Sequence, residues 1–371
     1  MKKLRLIGGQ IISPLEVRFA DLLIVGDQIE EIVGRGEASP DFENVDVTGK
    51  FVTPGLFDLQ LNGGPALDFW GELSDKALEK FTHDQAIDGV TSFLPTLITA
   101  DIDFLVRNIQ WLNAHGLNKN LELGKSLSAR LPGVHLEGPC LSPKRPGVHP
   151  PEFVTPLTEE TLKRLIIDGV SLMTMAPETD PDGKALQYLI DHGVKPSLGH
   201  SNATFEEANK AFNAGVTMMT HTFNALPPLH HRSPGAVGAA FLNDNVTCCV
   251  IADGLHLAPE MVSIIIKMKG REHTILVTDA AKIGTTGGGL VGSSIHLADA
   301  VRNCVAWGSA SFVDAIRMAS FNPAKALGLD EKIGHIEKGK KADLVVWDEA
   351  SLKVDSVYVD GRKVEKNEAV I

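Results

Sequence analysis

The sequence is short of several features, and each shortage excludes a class of protein. It has four cysteines, Cys140, Cys248, Cys249 and Cys304, with no CxxC pair among them and two adjacent in an apolar run. They read as reduced, buried small residues of an intracellular protein rather than as a disulfide framework. No uncharged apolar run reaches the ~20 residues that a membrane span needs. The opening MKKLRLIGGQIISPLE carries two lysines but meets glycine, proline and charge too early for a signal peptide. A soluble, cytoplasmic protein with no membrane partner is expected. Basic charge is also short: 35 Lys and Arg stand against 47 Asp and Glu, a formal net charge of −12. Such a chain repels phosphate backbones, so no nucleic-acid partner is expected. An anionic substrate would have to be met by local groups rather than by the overall field.

What is present is ordinary globular material: 371 residues, 43% hydrophobic and 22% charged, enough for a large core and a second module. The two ends share one texture. Short β-type runs at Leu4 to Ile7, Leu22 to Val25 and Ile29 to Val33 are separated by Gly-rich turns. In the tail, Ala342 to Trp347 and Ser356 to Val359 precede the tight turn Asp360-Gly361. One discontinuous β module built from both ends is expected, over 1–52 plus 339–371. The alternative is two unrelated β extensions.

The middle, 53–338, alternates differently. Apolar runs at Leu56–Leu61, Thr91–Leu94, Gly133–Leu136, Leu172–Ala176, Pro196–Leu198, Thr217–Thr220, Cys248–Ala252 and Thr274–Val277 are each followed by a polar or glycine-rich loop. Helical stretches such as Ser74–Asp88, Thr158–Asp168, Phe205–Ala214 and Pro259–Lys269 lie between them. Eight such alternations predict an α/β fold, a (β/α)8 TIM-like barrel. A doubly wound open sheet is the structural rival, but no GxGxxG follows a first strand, so it brings no dinucleotide site.

In a barrel of this kind the chemistry sits at the C-terminal ends of the strands. Those ends read Asp58-Leu59-Gln60-Leu61-Asn62, His135-Leu136-Glu137-Gly138, Gly199-His200-Ser201, Thr220-His221-Thr222-Phe223-Asn224, Ala252-Asp253-Gly254-Leu255-His256 and Val277-Thr278-Asp279. A lone His at a strand end is more often a hydrogen-bonded structural residue than a ligand, and a lone Asp is usually a helix N-cap. Taken jointly, Glu137, His200 and His221 supply one carboxylate and two imidazoles. With water, that is a first shell for a catalytic zinc that keeps one position open. Asp279 would then serve as the general base.

These motifs, HLEGP (135–139), GHSNAT (199–204), THTFNA (220–225), ADGLH (252–256) and VTDA (277–280), resemble the amidohydrolase superfamily and, within it, the N-acetylglucosamine-6-phosphate deacetylases. The resemblance covers nearly the whole chain. Several superfamily members carry His-x-His at the first strand and hold two metals; here that place reads Gln60-Leu61-Asn62. The resemblance therefore implies one divalent metal per subunit, zinc, on Glu137, His200 and His221. It implies Asp279 as the base that later returns the proton, and His256 as the group polarising the acetyl carbonyl. It further implies substrate contacts from Val148, His149, Asn224, Ala225, Arg232, His256 and, after a Gly-Ser-Ser stretch, Leu297. The substrate implied is a small amino-sugar phosphate, N-acetyl-D-glucosamine 6-phosphate, in amino-sugar catabolism. A homodimer is implied too, with Arg232 reaching the neighbouring site. One departure stands out: only Ala281 to Val291, rich in glycine, separates Asp279-Ala280 from Gly292-Ser293-Ser294, where the family has a longer segment with a strand pair. Three readings stay open beside the first: the galactosamine epimer as substrate, ring opening of a cyclic amide, and a catalytically weakened relative that keeps the fold.

Overall fold

The computed structural model describes residues 1–14, 16–36, 41–117, 122–123, 126–282, 285–286 and 289–365. Eight parallel strands form one sheet: β1 (Leu56–Leu61), β2 (Val90–Ile98), β3 (Val134–Glu137), β4 (Val170–Met175), β5 (Lys195–Leu198), β6 (Met218–Met219), β7 (Thr247–Ile251) and β8 (Thr274–Val277). Each pairs with its neighbour in sequence. The sheet curls round until its ends meet: Asp279 N–H donates to Gln60 O at 2.8 Å, and Asn62 N–H donates to Ala280 O at 2.8 Å. The predicted barrel is what the chain forms.

Helices return the chain between strands: α1 (Asp75–Ile87), α2 (Ile102–His115), α3 (Glu159–Leu165), α4 (Lys184–Asp191), α5 (Phe205–Asn213), α6 (Gly235–Leu242), α7 (Pro259–Lys269) and α8 (Leu297–Ala306). Local chemistry sets their starts. The Ser74 side chain caps α1, and Thr204 with Glu207 forms a reciprocal capping box on α5, satisfying amide groups that a helix leaves orphaned. Inside the barrel, Phe57, Leu59, Leu94, Leu172, Met218, Cys249, Ile251, Ile275 and Val277 make one apolar cluster. Leu56, Leu136, Met173, Leu198, Met219 and Leu276 belong instead to the larger core shared with the helices. Above the inner cluster runs a buried polar chain: His135 Nε2 lies 2.8 Å from Thr174 Oγ1, which lies 2.6 Å from Thr220 Oγ1, itself 2.6 Å from Ser197 Oγ.

Both ends of the chain meet in one six-stranded sheet. Its order is Arg362–Lys363, Val354–Val359, Leu344–Asp348, Lys50–Pro54, Gln10–Ser13 and Glu16–Phe19. A four-stranded sheet of Gln28–Val33, Asp21–Val25, Lys3–Ile7 and Glu43–Asp46 accompanies it. The strand Leu344–Asp348 shows the period of two that places it between two cores. Leu344 and Val346 pack with Leu4, Leu22 and Ile24 in the terminal β module, whereas Val345 and Trp347 join the barrel core. Trp347 also donates from its indole to Thr53 Oγ1 at 2.8 Å, and Phe312 stacks on it edge-on. Arg130, from the barrel side, pairs with Asp343 and Asp360 of the tail. Among the described residues no helix is long and apolar enough to cross a membrane.

The glycine-rich stretch after Asp279 holds a minimal antiparallel pair, Thr285–Thr286 with Gly289–Leu290. Ile283, Gly284, Gly287 and Gly288 lie outside the described residues.

Candidate active site

The strand ends converge as their spacing predicts, and the backbone there is unusual. Among the described residues seven non-glycine positions have positive φ, and five of them, His200 (48°), His221 (27°), Phe223 (78°), Ala225 (52°) and Asp279 (50°), stand at the C-terminal ends of β5, β6 and β8. Left-handed backbone costs on the order of 1–3 kcal/mol per such residue and persists only where the surroundings over-determine it. The surroundings do so here. The loop carrying His200 is clamped by Glu178, which accepts from Ser201 Oγ at 2.7 Å and from Asn202 N–H at 2.6 Å. Ser142 N–H donates to His200 O at 2.9 Å. Thr222 N–H donates to Cys249 O on β7 at 2.8 Å. Strand β6 itself is two residues long, yet its hydrogen bonds span the predicted Thr217–Thr220: Thr217 O accepts from Thr247 N–H at 2.8 Å, and Thr220 N–H donates to Leu198 O at 2.9 Å.

Glu137, His200 and His221 offer three ligand atoms within 4.8 Å of one another, all buried. His221 Nε2 lies 2.9 Å and His200 Nε2 lies 3.3 Å from Glu137 Oε1, and the two imidazole nitrogens are 3.1 Å apart. His200 Nδ1 meets the carbonyl oxygen of Arg145 at 3.0 Å, so Nδ1 carries the hydrogen and Nε2 keeps its lone pair. Burial alone would raise the Glu137 carboxyl, but the two imidazoles hold it well below the usual carboxylate range. One carboxylate and two imidazoles converging on one point, the His200 ring set by its bond to Arg145 O, fit a divalent cation. Gly147 completes the enclosure. It passes so close that a Cβ there would stand 3.0 Å from His200 Cε1, and its φ of 59° is one that suits glycine.

Asp279 is buried beside this cluster. Burial and the neighbouring Glu137 charge push its carboxyl up to about 7, against the opposing pull of His221 and of a hydrogen bond from Asn62. A carboxyl so displaced, in a cleft with polar partners, has the character of a general base. His256 is held by Asp253, which accepts from His256 Nδ1 at 2.7 Å and, through its other oxygen, from the His256 and Leu255 backbone N–H groups at 2.8 Å. Because the Asp253 oxygens only accept, Nδ1 carries the hydrogen and Nε2 is the reactive edge. His149 Nδ1 accepts from the backbone N–H of Thr99 at 3.2 Å, which leaves the hydrogen on Nε2, and burial pushes this ring down to about 3. It packs edge-on against His200 with centroids 4.3 Å apart.

Of the residues singled out in the sequence, Glu137, Val148, His149, His200, His221, Asn224, Ala225, His256 and Asp279 all line one cavity of about 200 Å³. Two do not stand among its described lining residues. Leu297 is fully buried at the first turn of α8, whose apolar face of Leu297, Ala300, Val301 and Cys304 packs into the core. The helical period turns that side chain into the core. Arg232 is exposed on the arm after β6, its Nε donating to His231 Nε2 at 2.9 Å. The structure adds residues that spacing did not assign. Trp70, Ile98 and Gly292 line the cavity, while Asp253 and Glu178 orient its histidines. Asp253 sits within ADGLH, three residues before His256, the one signal that could have pointed to it.

The family model described as "Amidohydrolase family" matches residues 51–364. An N-acetylglucosamine-6-phosphate deacetylase of Haemophilus influenzae is 33% identical over 356 residues, covering 88% of this chain and 90% of that protein. An N-acetylgalactosamine-6-phosphate deacetylase of Escherichia coli O157:H7 is 30% identical, covering 84% of this chain and 87% of that protein. The crystal structure of N-acetylglucosamine-6-phosphate deacetylase from Pasteurella multocida superposes with a TM-score of 0.89 at 28% identity, over 98% of this chain and 100% of the other. With the barrel, the converging side chains and a match spanning most of its length, this chain belongs to the amidohydrolase family.

Proposed function

We propose that the protein hydrolyses the acetamide of N-acetyl-D-glucosamine 6-phosphate, giving acetate and D-glucosamine 6-phosphate. The observation that carries this reading is the convergence of Glu137, His200, His221, Asp279 and His256 on one cavity. The names of the relatives give the substrate class. Glu137, His200 and His221 would hold one zinc ion, and a divalent cation there supplies Lewis acidity that makes a water acidic near neutral pH.

The residues do the rest. Asp279 takes a proton from the attacking water as the new C–O bond forms at the acetyl carbon. His256 Nε2 faces the carbonyl oxygen and stabilises the charge that grows on it; the Asp253 carboxylate compensates the imidazolium when both ring nitrogens carry protons. Asp279 then returns its proton to the sugar nitrogen as the C–N bond breaks. His149, through Nε2–H, and Val148 contact the sugar. The backbone at Asn224 and Ala225, which line the cavity in a left-handed turn, meets the phosphate. Arg232 completes that anchor, and its exposure suits a side chain that crosses to the neighbouring site of a homodimer. The chain divides at 1–52 plus 339–371 for the β module and 53–338 for the barrel, and the protein works in the cytoplasm.

Acetate release measured on N-acetylglucosamine 6-phosphate, on its galactosamine epimer and on unphosphorylated N-acetylglucosamine tests the reading. Turnover of the first, with a much poorer third, is expected. Preference for the epimer would move the specificity, and no release from any would overturn the activity. The epimer remains a second reading because one of the two curated relatives above bears that name.

A further inference from the structure

The amides at the end of β1 make up for the missing His-x-His in an unexpected way. Gln60 Nε2 lies 3.0 Å from Glu137 Oε1 and 2.9 Å from Asp279 Oδ1, and Asn62 Nδ2 lies 2.7 Å from the same Asp279 oxygen. Both amides are buried. Asn62 Oδ1 in turn accepts from the Trp70 indole N–H at 3.4 Å. An ionised carboxylate can only accept and an indole N–H can only donate. Each neighbour of Asn62 therefore demands the same orientation, nitrogen towards Asp279 and oxygen towards Trp70. Two N–H donors then saturate Asp279 Oδ1. They set the carboxylate's torsion, leaving Oδ2, among the described residues, as the oxygen with unused lone pairs. Asp279 lines the cavity in this setting. Below it, Asp58 fixes the backbone of the same strand end by accepting from Thr278 Oγ1 at 2.5 Å and from Thr278 N–H at 3.2 Å.

We propose that Gln60 and Asn62 are positioning residues that hold the Asp279 carboxylate so that Oδ2 is the atom that takes and returns the proton, with Trp70 setting the orientation of the Asn62 amide. The inference rests on the reading of Asp279 as the general base. It makes the departure from His-x-His a working part of the site: side chains that would otherwise hold a second metal here aim a base.

The test is a double-mutant cycle on the metal-loaded protein, using acetate release together with metal content and melting temperature. Asn62→Leu keeps the volume and deletes the N–H donor. Hydrogen bonds to charged groups imply a loss of about ten- to a hundredfold. That loss is expected in kcat, with KM and the single bound metal unchanged. In an Asp279→Asn background the same substitution is expected to change the residual rate less than about twofold, because no carboxylate remains to be aimed. Asn62→Ser, which removes the reach but keeps a polar group, serves where the leucine variant fails to fold. Full activity in either variant, or a loss that multiplies undiminished onto Asp279→Asn, overturns the inference while leaving the base reading intact. An Asp279→Asn enzyme that keeps its activity overturns the base reading itself.

Discussion

Asp279→Asn separates what the site needs for catalysis from what it needs for stability. The substitution is nearly isosteric, and the asparagine carbonyl can still accept from Gln60 Nε2 and Asn62 Nδ2 where Asp279 Oδ1 now does, at 2.9 and 2.7 Å. Metal ligands and loop geometry are therefore expected to persist. What disappears is the oxygen that takes a proton. General acid–base steps contribute roughly 10²–10⁴ in rate, about 2.7–5.5 kcal/mol of barrier, and the loss is expected in kcat because the same group also returns the proton. Stability should move the other way. Burial, then the Glu137 charge, raise the Asp279 carboxyl from 3.8 to about 7. A raised acid favours the folded state only while it is protonated. The ionised side chain thus costs stability that grows as pH rises from about 4 to about 7, with an upper limit on the order of 4 kcal/mol. In protein freed of metal by a chelator, Asp279→Asn should melt at or above the wild-type temperature at pH 8, with the difference vanishing by pH 4. Acetate release, elemental analysis and thermal melting measure all three quantities. Near-normal turnover with full metal content would refute the catalytic role, and a large drop in melting temperature at pH 8 would refute the electrostatic argument.

Elemental analysis should find about one divalent metal per chain, removed by His200→Asn; combining Gln60→His with Asn62→His should move the stoichiometry towards two, and two equivalents in the wild type would contradict the single-site reading. Because only ionised Asp279 can accept a proton, kcat/KM should decline as pH falls and the carboxyl takes its proton; an acid limb that persists unchanged in Asp279→Asn would show that another group is responsible. Finally, Arg232→Ala and Asp279→Asn chains, each nearly inactive alone, should regain part of their activity when subunits exchange, since a mixed dimer contains one site with both groups intact. Absence of recovery, with exchange verified by mass, would place Arg232 at its own chain's site.

Much of the architecture is written locally. A β-strand shows itself by an apolar run of the right length, and a helix by a capping residue and a period near four. Eight alternations were therefore legible, as was the convergence of Glu137, His200 and His221, because the barrel places the residue after each strand at a common rim. The pairing of the two ends was legible as a shared texture, though the strands Gln10–Ser13 and Glu16–Phe19 were not, both being only four residues long and the second an exposed sheet edge.

Distances between residues far apart in sequence were decided only by tertiary structure. Nothing in the order of residues says that Gln60 and Asp279, 219 positions apart, share a hydrogen bond, or that Glu178 clamps the loop of His200. Nor could the sequence reveal that Leu297 turns inward and Arg232 outward. The first follows from which face of α8 meets the core, the second from where the arm after β6 leaves the mouth. The elevated proton affinity of Asp279 is likewise a property of the closed barrel, because burial and the proximity of Glu137 exist only once β3 and β8 stand around the same cavity. Sequence determined the elements and the inventory of reactive groups through short-range chemistry; the closing of the sheet turned that inventory into a site by setting orientation and dielectric.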